Sequence, residues 1–276
     1  MKEPVNHMNE QQVALAFTGQ SAIFDQLYAT NGIVAYKRER VRQFLLKYLD
    51  PGSRILELNA GTGDDAIFLA KQGHHVHATD ISTGMQDRLK EKVLFHGMNA
   101  FVSQELCSFT SLENLSDKGP FDCIFSNFAG LNCTGDLHKV LASFDNLLKP
   151  GGTVVLVVLP RFCLWETLLM FKGKFKTAGR RFFSSGGRKA KIDGAFFTCW
   201  YYSPGFIRRA LNKKFERKEL EGLCTIVPPS YIENFPEKYP GLYGWLCRME
   251  NRLKGRWPWK YIGDYYIISL QKAHSV

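Results

Sequence analysis

The chain has 276 residues, 45% of them hydrophobic, enough to bury a full core as one large domain or as one domain with an elaboration. Its formal charge is +10 at pH 7, and its seven cysteines, an odd number without C-x-x-C spacing, indicate neither a disulfide framework nor a zinc site. The polar N-terminal stretch lacks an apolar core of signal-peptide length, and the longest apolar run, Thr153 to Leu159, is far too short to span a bilayer, so a reducing cytoplasm is the expected setting.

Two helices are predicted first, Gln11 to Leu27 and Tyr36 to Leu49, the second with Val41, Phe44, Leu45 and Tyr48 at helical spacing before Pro51-Gly52 stops it. Strands and helices then alternate: strand Arg54 to Leu58, helix Asp64 to Lys71, strand His75 to Thr79, helix Thr83 to Phe95, strand Ala100 to Gln104. Such alternation implies right-handed crossovers and a parallel sheet. A fourth strand, Cys123 to Asn127, follows Lys118-Gly119-Pro120, and an amphipathic helix, Asp136 to Leu148, leads through Lys149-Pro150-Gly151-Gly152 into a fifth strand, Thr153 to Leu159. From Arg161 to Tyr202 the pattern gives way to an aromatic and basic insertion. Ser203-Pro204 opens a helix through Asn212, and strands near Phe215 to Thr225 and Asp264 to Leu270 complete the sheet. No internal repeat is present.

The most informative stretch is Arg54-Ile55-Leu56-Glu57-Leu58-Asn59-Ala60-Gly61-Thr62-Gly63-Asp64-Asp65-Ala66, an apolar strand, a glycine turn and an acidic helix start. Glycines let a ligand approach the main chain, and the following helix aims its unpaired amides at it. A match to the glycine fingerprint of dinucleotide enzymes is weak by itself. Charge separates the readings, because Asp64 and Asp65 would repel a pyrophosphate on this helix N-terminus. S-adenosylmethionine has no phosphate, and an acidic rim including Glu57 attracts its sulfonium and ammonium.

The segment resembles the Glu/Asp-x-Gly-x-Gly-x-Gly motif of the Rossmann-like, class I S-adenosylmethionine-dependent methyltransferases. Asn59 stands where that family usually has its first glycine, and Asn tolerates positive φ better than most residues. The run LLKPGGTVVLVV resembles the family's helix-to-strand junction. The resemblance covers roughly Phe24 to Leu159 and the final strand. It implies a doubly wound α/β fold with a mostly parallel seven-stranded sheet whose last strand is antiparallel, and a small-molecule, biosynthetic enzyme. The expected division is an N-terminal helical cap (1–50), a cofactor-binding core (51–160), a lid insertion (161–202), and completion of the sheet with a helical insertion (203–276).

Asp80 closes the second strand, 17 residues after Gly63, at the carboxyl edge where a carboxylate accepts both ribose hydroxyls; its alternative role is an N-cap, which Ser82 or Thr83 also fits. Ile81 and Met85 are expected on one face of the adenine, with Leu106 or Cys107 on the other, and the family resemblance puts Glu105 near the adenine amino group. Asn127 and Phe128, at the end of the fourth strand, belong beside the methionine moiety. Asn59, Gly61 and Gly63 complete the expected cofactor grip. The Asn/Asp-Pro-Pro-Tyr/Phe sequence of nucleic-acid amino-methyltransferases is missing at this position, as is a Pro-Cys nucleophile.

Methyl transfer from a sulfonium needs alignment more than acid–base chemistry. If a base acts, His138 and Glu166 are the candidates. His74, His75 and His77 read as strand-edge residues, and no metal is expected. The acceptor is expected against Tyr36, Arg161, Trp165, Trp200, Tyr201 and Tyr202, an aromatic lid over an apolar molecule. Between Phe171 and Lys191 lie Lys172, Lys174, Lys176, Arg180, Arg181, Arg188, Lys189 and Lys191 with no acidic residue among them; this basic run is expected to be mobile, and it reads as a solvated loop, a docking surface for an anionic carrier or phospholipid, or an RNA contact. Phe162 to Phe171 followed by cations also suits an interfacial membrane contact. The expected activity is methylation of an oxygen or nitrogen, including a carboxylate, of a small apolar or carrier-bound metabolite. RNA methylation and a non-catalytic S-adenosylmethionine-binding regulatory module are the alternatives.

Overall fold

A computed structural model describes residues 3–173, 175, 179–182, 184, 186–192, 194–211, 214–232 and 234–274. The helices are α1 (Glu3–Gln20), α2 (Phe24–Ala29), α3 (Gly32–Leu46), α4 (Asp64–Lys71), α5 (Thr83–Phe95), α6 (Leu137–Leu147), α7 (Leu164–Leu168), α8 (Pro204–Ala210), α9 (Phe235–Lys238) and α10 (Pro240–Leu253). The strands are β1 (Arg54–Leu58), β2 (His75–Asp80), β3 (Val102–Leu106), β4 (Phe121–Ser126), β5 (Leu148–Val158), β6 (Arg188–Ile192), β7 (Ala195–Cys199), β8 (Phe215–Leu223) and β9 (Tyr265–Lys272).

Seven strands form one sheet in the order β3-β2-β1-β4-β5-β9-β8. β1 to β5 are mutually parallel, and β9 enters antiparallel between β5 and β8. This is the doubly wound sheet that the alternation of the sequence predicts. Each face has its own apolar core, because central parallel strands are covered on both sides. One contains Leu56, Leu58, Ile124, Phe144 and Leu156, and the other contains Ile55, Phe44, Leu89, Val155 and Ile267.

The first predicted helix is two. It runs from Glu3 to Gln20, turns at 21–23, and resumes as α2. The next helix starts four residues earlier than Tyr36, at Gly32, because the side chain of Asn31 accepts hydrogen bonds from the amides of Ile33 and Val34, both at 3.1 Å. Ser82 caps α5 in the same way, accepting from Met85 N at 3.2 Å. That leaves Asp80 free of the cap role.

Part of the basic insertion packs on the body of the protein. Arg181 is buried, and β6 and β7 pair as a hairpin whose Ala190, Ile192 and Phe197 pack on Val13, Ala16 and Phe17 of α1. Like charges along the segment do not prevent this, because alternate residues of the hairpin turn their apolar side chains to the helix. Lys174 and Lys176 lie outside the described residues.

Candidate active site

At the carboxyl end of β1, β2 and β4 the sheet opens into a cavity lined by the glycine turn, the ends of those strands, and α1 and α2. The turn takes its shape from three left-handed residues, Asn59, Gly61 and Gly63, with φ of 49°, 57° and 83°. Gly63 is required by packing, since a Cβ there would lie 2.7 Å from Cγ of Leu89. Gly61 faces open space, with nothing within 4 Å of a Cβ position, so the main chain is approachable there.

Asn59 is more than a tolerated replacement for glycine. Its Nδ2 donates to the carbonyl of Asn127 at 2.9 Å and its Oδ1 accepts from Ser126 Oγ at 2.6 Å, tying the β1 turn to the end of β4. The side chain occupies the space beside Gly130, where a Cβ would come within 2.3 Å of Asn59 Cγ. Beyond β4, Phe128 and Ala129 are both left-handed, with φ of 48° and 61°, a conformation that costs energy in non-glycine residues and is held by its surroundings.

Two carboxylates give the cavity its electrostatic character. Asp80 accepts from Gly61 N and Ser82 N, each at 2.9 Å; burial raises its pKa while these backbone bonds oppose the rise. Glu57 is 2% exposed, and its Oε2 has no hydrogen-bond partner. Burial, and then the neighbouring charge of Asp65, push its pKa well above the ordinary range. An unpaired buried carboxylate is costly unless a cation meets it.

Asp64 and Asp65 are otherwise occupied. Asp64 pairs with Arg38 and, at 2.5 Å, with Lys92; Asp65 accepts from Arg42 at 2.7 Å and from Asn127 Nδ2 at 2.7 Å. Their repulsion of a phosphate is therefore largely neutralised by Arg38 and Arg42 of α3 and Lys92 of α5, which corrects the charge argument drawn from the sequence. The acidic character of the cavity rests on Glu57 and Asp80.

Of the residues expected at the cofactor, Glu57, Asn59, Gly61, Asp80, Ile81, Met85, Asn127 and Phe128 line the cavity, and Gly63 shapes its turn. Glu105 does not. It lies within β3 bonded to Ser116 and to His77 Nε2 at 3.1 Å, and Leu106 is 55% exposed, because β3 ends two residues later than the sequence suggests. Phe109 lines the cavity instead.

The expected catalytic and acceptor residues lie elsewhere. His138 is exposed at the start of α6. Glu166 is buried under Arg180 and Arg181; burial alone would raise its pKa, but these two guanidiniums outweigh it and hold the carboxylate ionised, which disqualifies it as a base at the cavity. Tyr36 donates to Glu250 at 3.2 Å in a separate network, and Arg161 donates to the carbonyl of Tyr201 at 3.3 Å from an exposed position. Trp165 lines a different groove, Trp200 packs against the core, Tyr201 lies under Arg181 with the ring centroid 5.2 Å away, and the hydroxyl of Tyr202 donates to the carbonyl of Thr134. Aromatic composition alone does not separate a lid from the small core of an insertion, and here the core takes these rings.

The wall that sequence reasoning missed comes from the N-terminus: Val13 and Phe17 of α1, Phe24 of α2, and Arg38 of α3. Asn9 fixes α1 to the body by donating to the carbonyl of Cys133 at 2.7 Å, and Thr18 meets Ser82 at 2.8 Å. The helical spacing of Val13, Phe17 and Phe24 carried the signal, but one apolar stripe does not say what it covers. Among the described residues Cys163, Glu166 and Asp264 cluster as metal ligands would, yet Arg181 already joins both carboxylates at 2.6 Å.

Residues 55–152 match a family model described as a methyltransferase domain. An uncharacterized methyltransferase of Synechocystis is 32% identical over 146 residues, covering 50% of this chain and 65% of that protein. A demethylmenaquinone methyltransferase of Clavibacter sepedonicus is 30% identical, covering 52% of this chain and 57% of its own length. Both matches span less than two thirds of the relative. In fold, the chain resembles a 1,6-didemethyltoxoflavin-N1-methyltransferase of Burkholderia thailandensis solved with S-adenosylhomocysteine, with a TM-score of 0.59 at 15% identity over 97% of this chain and 90% of that one. No helix among the described residues is long and apolar enough to cross a membrane. Residues 55–152 thus match a methyltransferase domain and are set on a Rossmann-like sheet.

Proposed function

We propose that this protein transfers a methyl group from S-adenosylmethionine to an oxygen or nitrogen of a small, largely apolar acceptor. The observation that carries the reading is Glu57: a buried carboxylate without a partner, in a cavity that also offers an open main chain at Gly61. That donor set fits a ligand with a cationic amino acid end and no phosphate. Asp80 would receive the ribose hydroxyls, Ile81, Met85 and Phe109 would enclose the adenine, and Glu57 with Asn127 would hold the methionine ammonium. Bound there, S-adenosylmethionine supplies an electrophilic methyl on a sulfonium that leaves as a neutral thioether.

The residues of the chain then orient the acceptor and exclude water. Phe17, Phe24 and Phe128 offer it an apolar wall, with Phe17 and Phe24 in edge contact at 6.5 Å between centroids. No histidine lines the cavity among the described residues, and burial pushes the Cys133 thiol far up and out of use as a base. The acceptor on this reading arrives as a ready nucleophile, an unprotonated amine or an ionised acidic hydroxyl, and catalysis rests on alignment, which contributes about 7–11 kcal/mol. The names of the relatives, which include an N-methyltransferase for dimethylglycine as well as the quinone enzymes, support a small-molecule acceptor. RNA gains no support, since the charge of the basic run is partly spent on Glu166 and Asp264.

Calorimetry with S-adenosylmethionine and S-adenosylhomocysteine, followed by transfer of a labelled methyl group to a panel of amines, phenols and quinols, tests the proposal. Binding with transfer to a member of the panel supports it; tight binding with no transfer to small molecules or RNA would favour the regulatory-module alternative.

A further inference from the structure

We infer that the seam between α7 and α10 is a docking face for an anionic lipid surface. Helix α10 has two apolar faces. Tyr243, Leu246 and Cys247 turn inward to a small core with Ile33 and Val227, and Glu250 on the same side accepts backbone hydrogen bonds from Cys224, Thr225, Ile226 and Val227, each at 2.9 Å. The fold of the helix needs no more than this. Yet Leu242, Trp245, Met249 and Leu253, spaced three or four residues apart, form a second apolar stripe along its outer side.

That stripe does not stand alone. Trp245, Met249 and Leu253 line one wall of a groove whose other wall is Leu164, Trp165 and Leu168 of α7. Along the chain α7 is followed by Met170 and Phe171 and α10 by Trp257, and of these Phe171 is 83% and Trp257 79% exposed. Scattered exposed apolar residues need no explanation, but an apolar groove between two helices that are each followed in the chain by an exposed aromatic ring marks an interaction site.

Charge identifies the partner. Arg248 and Arg252 each follow a stripe residue by three positions and so flank it on the solvent side, with Arg256 just beyond the helix end. All three are exposed, and none of them has a carboxylate within 4.0 Å among the described residues. By contrast the neighbouring Lys254 is paired with Glu221 at 3.1 Å. Unpaired arginines beside exposed tryptophans and leucine are the composition of an interfacial helix on acidic phospholipid. A protein partner is the weaker fit, because rings as exposed as Phe171 and Trp257 would each require a matching pocket, whereas a bilayer accepts protruding side chains without one. This docking stands independently of the methyl-transfer reading, since none of these residues lines the cofactor cavity.

The test is co-sedimentation of the full chain with vesicles of phosphatidylcholine, with and without phosphatidylglycerol. The wild type should partition onto the phosphatidylglycerol vesicles and be released by salt. Arg248→Ser, Arg252→Ser and Arg256→Ser combined should weaken that partition roughly a hundredfold, with a melting temperature little changed, because these exposed side chains form no ion pair among the described residues. Trp245→Ser with Leu242→Ser should weaken binding and also lower the fraction that resists salt. Trp257→Ser, outside the helix, gives the same readout should the double variant prove unstable. Wild-type protein that stays in solution with phosphatidylglycerol vesicles at low salt, or arginine variants that bind as the wild type does, would overturn the inference. So would concentration-dependent self-association, abolished by Trp245→Ser, in a chain that ignores the vesicles.

Discussion

Of the regions that bury carboxylates in this molecule, two treat them oppositely. Where the insertion meets the last strand, Glu166 receives both Arg180 and Arg181, and Asp264 receives Arg181, so these buried carboxylates have partners. In the cavity, Glu57 is as deeply buried and its buried Oε2 has no hydrogen-bond partner. A folded chain tolerates an unpaired buried charge only where something else supplies the partner or the site carries the strain for function. The contrast therefore sorts scaffold from site: the insertion's ions hold elements together, whereas the cavity's carboxylate waits for a cation from outside.

The largest effect should come from breaking the paired region. Arg181→Met leaves Glu166 and Asp264 without their shared buried partner and should cost about 3–5 kcal/mol of stability, read as a large fall in the urea midpoint. Adding Glu166→Gln should recover part of the loss. A single variant as stable as the wild type would mean that the insertion's ions are decorative and that the contrast with Glu57 is false.

Next in size is the unpaired region. Glu57→Gln should weaken S-adenosylmethionine binding by about 1.5–3 kcal/mol, the worth of a charge-assisted hydrogen bond, while raising the melting temperature of the ligand-free protein. Loss of stability without loss of affinity would make Glu57 structural. Asp80→Asn should weaken binding less. It removes the charge but keeps one acceptor, so either Gly61 or Ser82 retains its contact.

pH separates the two regions by sign. The folded-state pKa of Glu57 is raised, so its ionisation costs nothing below the ordinary value near 4.5, and the cost grows as pH rises from there toward the folded value. The stability gap between wild type and Glu57→Gln should thus be absent in acid and open on going up in pH. The folded-state pKa of Glu166 is lowered, so its contribution is complete above about 4.5 and is lost as pH falls through the folded value. The gap between wild type and Glu166→Gln should be full at neutral pH and close in acid. Denaturant melts between pH 3 and 8 check both, and parallel pH profiles would erase the distinction.

Sequence legibility follows the same division. The cofactor side was readable because strand, glycine turn and helix are local: Glu57, Gly61 and Asp80 fall at strand ends whose position the alternation fixes, and eight of the expected residues converge on one cavity. Even the exception at Asn59 had a local reason, a left-handed turn, although its cross-bond to β4 and its fit over Gly130 depend on contacts far along the chain. The acceptor side was not readable. Whether Tyr201 faces a substrate or Arg181 depends on how the insertion folds, and whether Phe17 covers solvent or a cavity depends on how α1 packs against a hairpin far along the chain; aromatic content is the same in every case. Phe17 meets Phe197 of the hairpin at 6.3 Å, so the insertion supports the cavity wall from behind and does not itself close it.

The smallest expected effect concerns Asp64, and it sharpens what the acidic helix start does. NAD should not bind the wild type, because its pyrophosphate would enter a cavity beside Glu57, whereas the ribose contact at Asp80 suits either cofactor. If that exclusion came from the helix N-terminus, Asp64→Asn would relax it. In the fold, however, Arg38 and Lys92 both reach Asp64, and they hold its pKa below the ordinary value against the opposing effect of burial. An anion approaching this turn therefore meets a nearly neutral cluster, and removing one carboxylate leaves two cations less well balanced without opening the path past Glu57. Asp64→Asn should leave NAD binding undetectable and change S-adenosylmethionine affinity by less than about 1 kcal/mol, as expected for a partly exposed ion pair. Adding Glu57→Gln is the informative step: dinucleotide binding that appears in the double variant, but not with Asp64→Asn alone, would locate cofactor discrimination at the unpaired carboxylate. Binding that appears with Asp64→Asn alone would return it to the helix start.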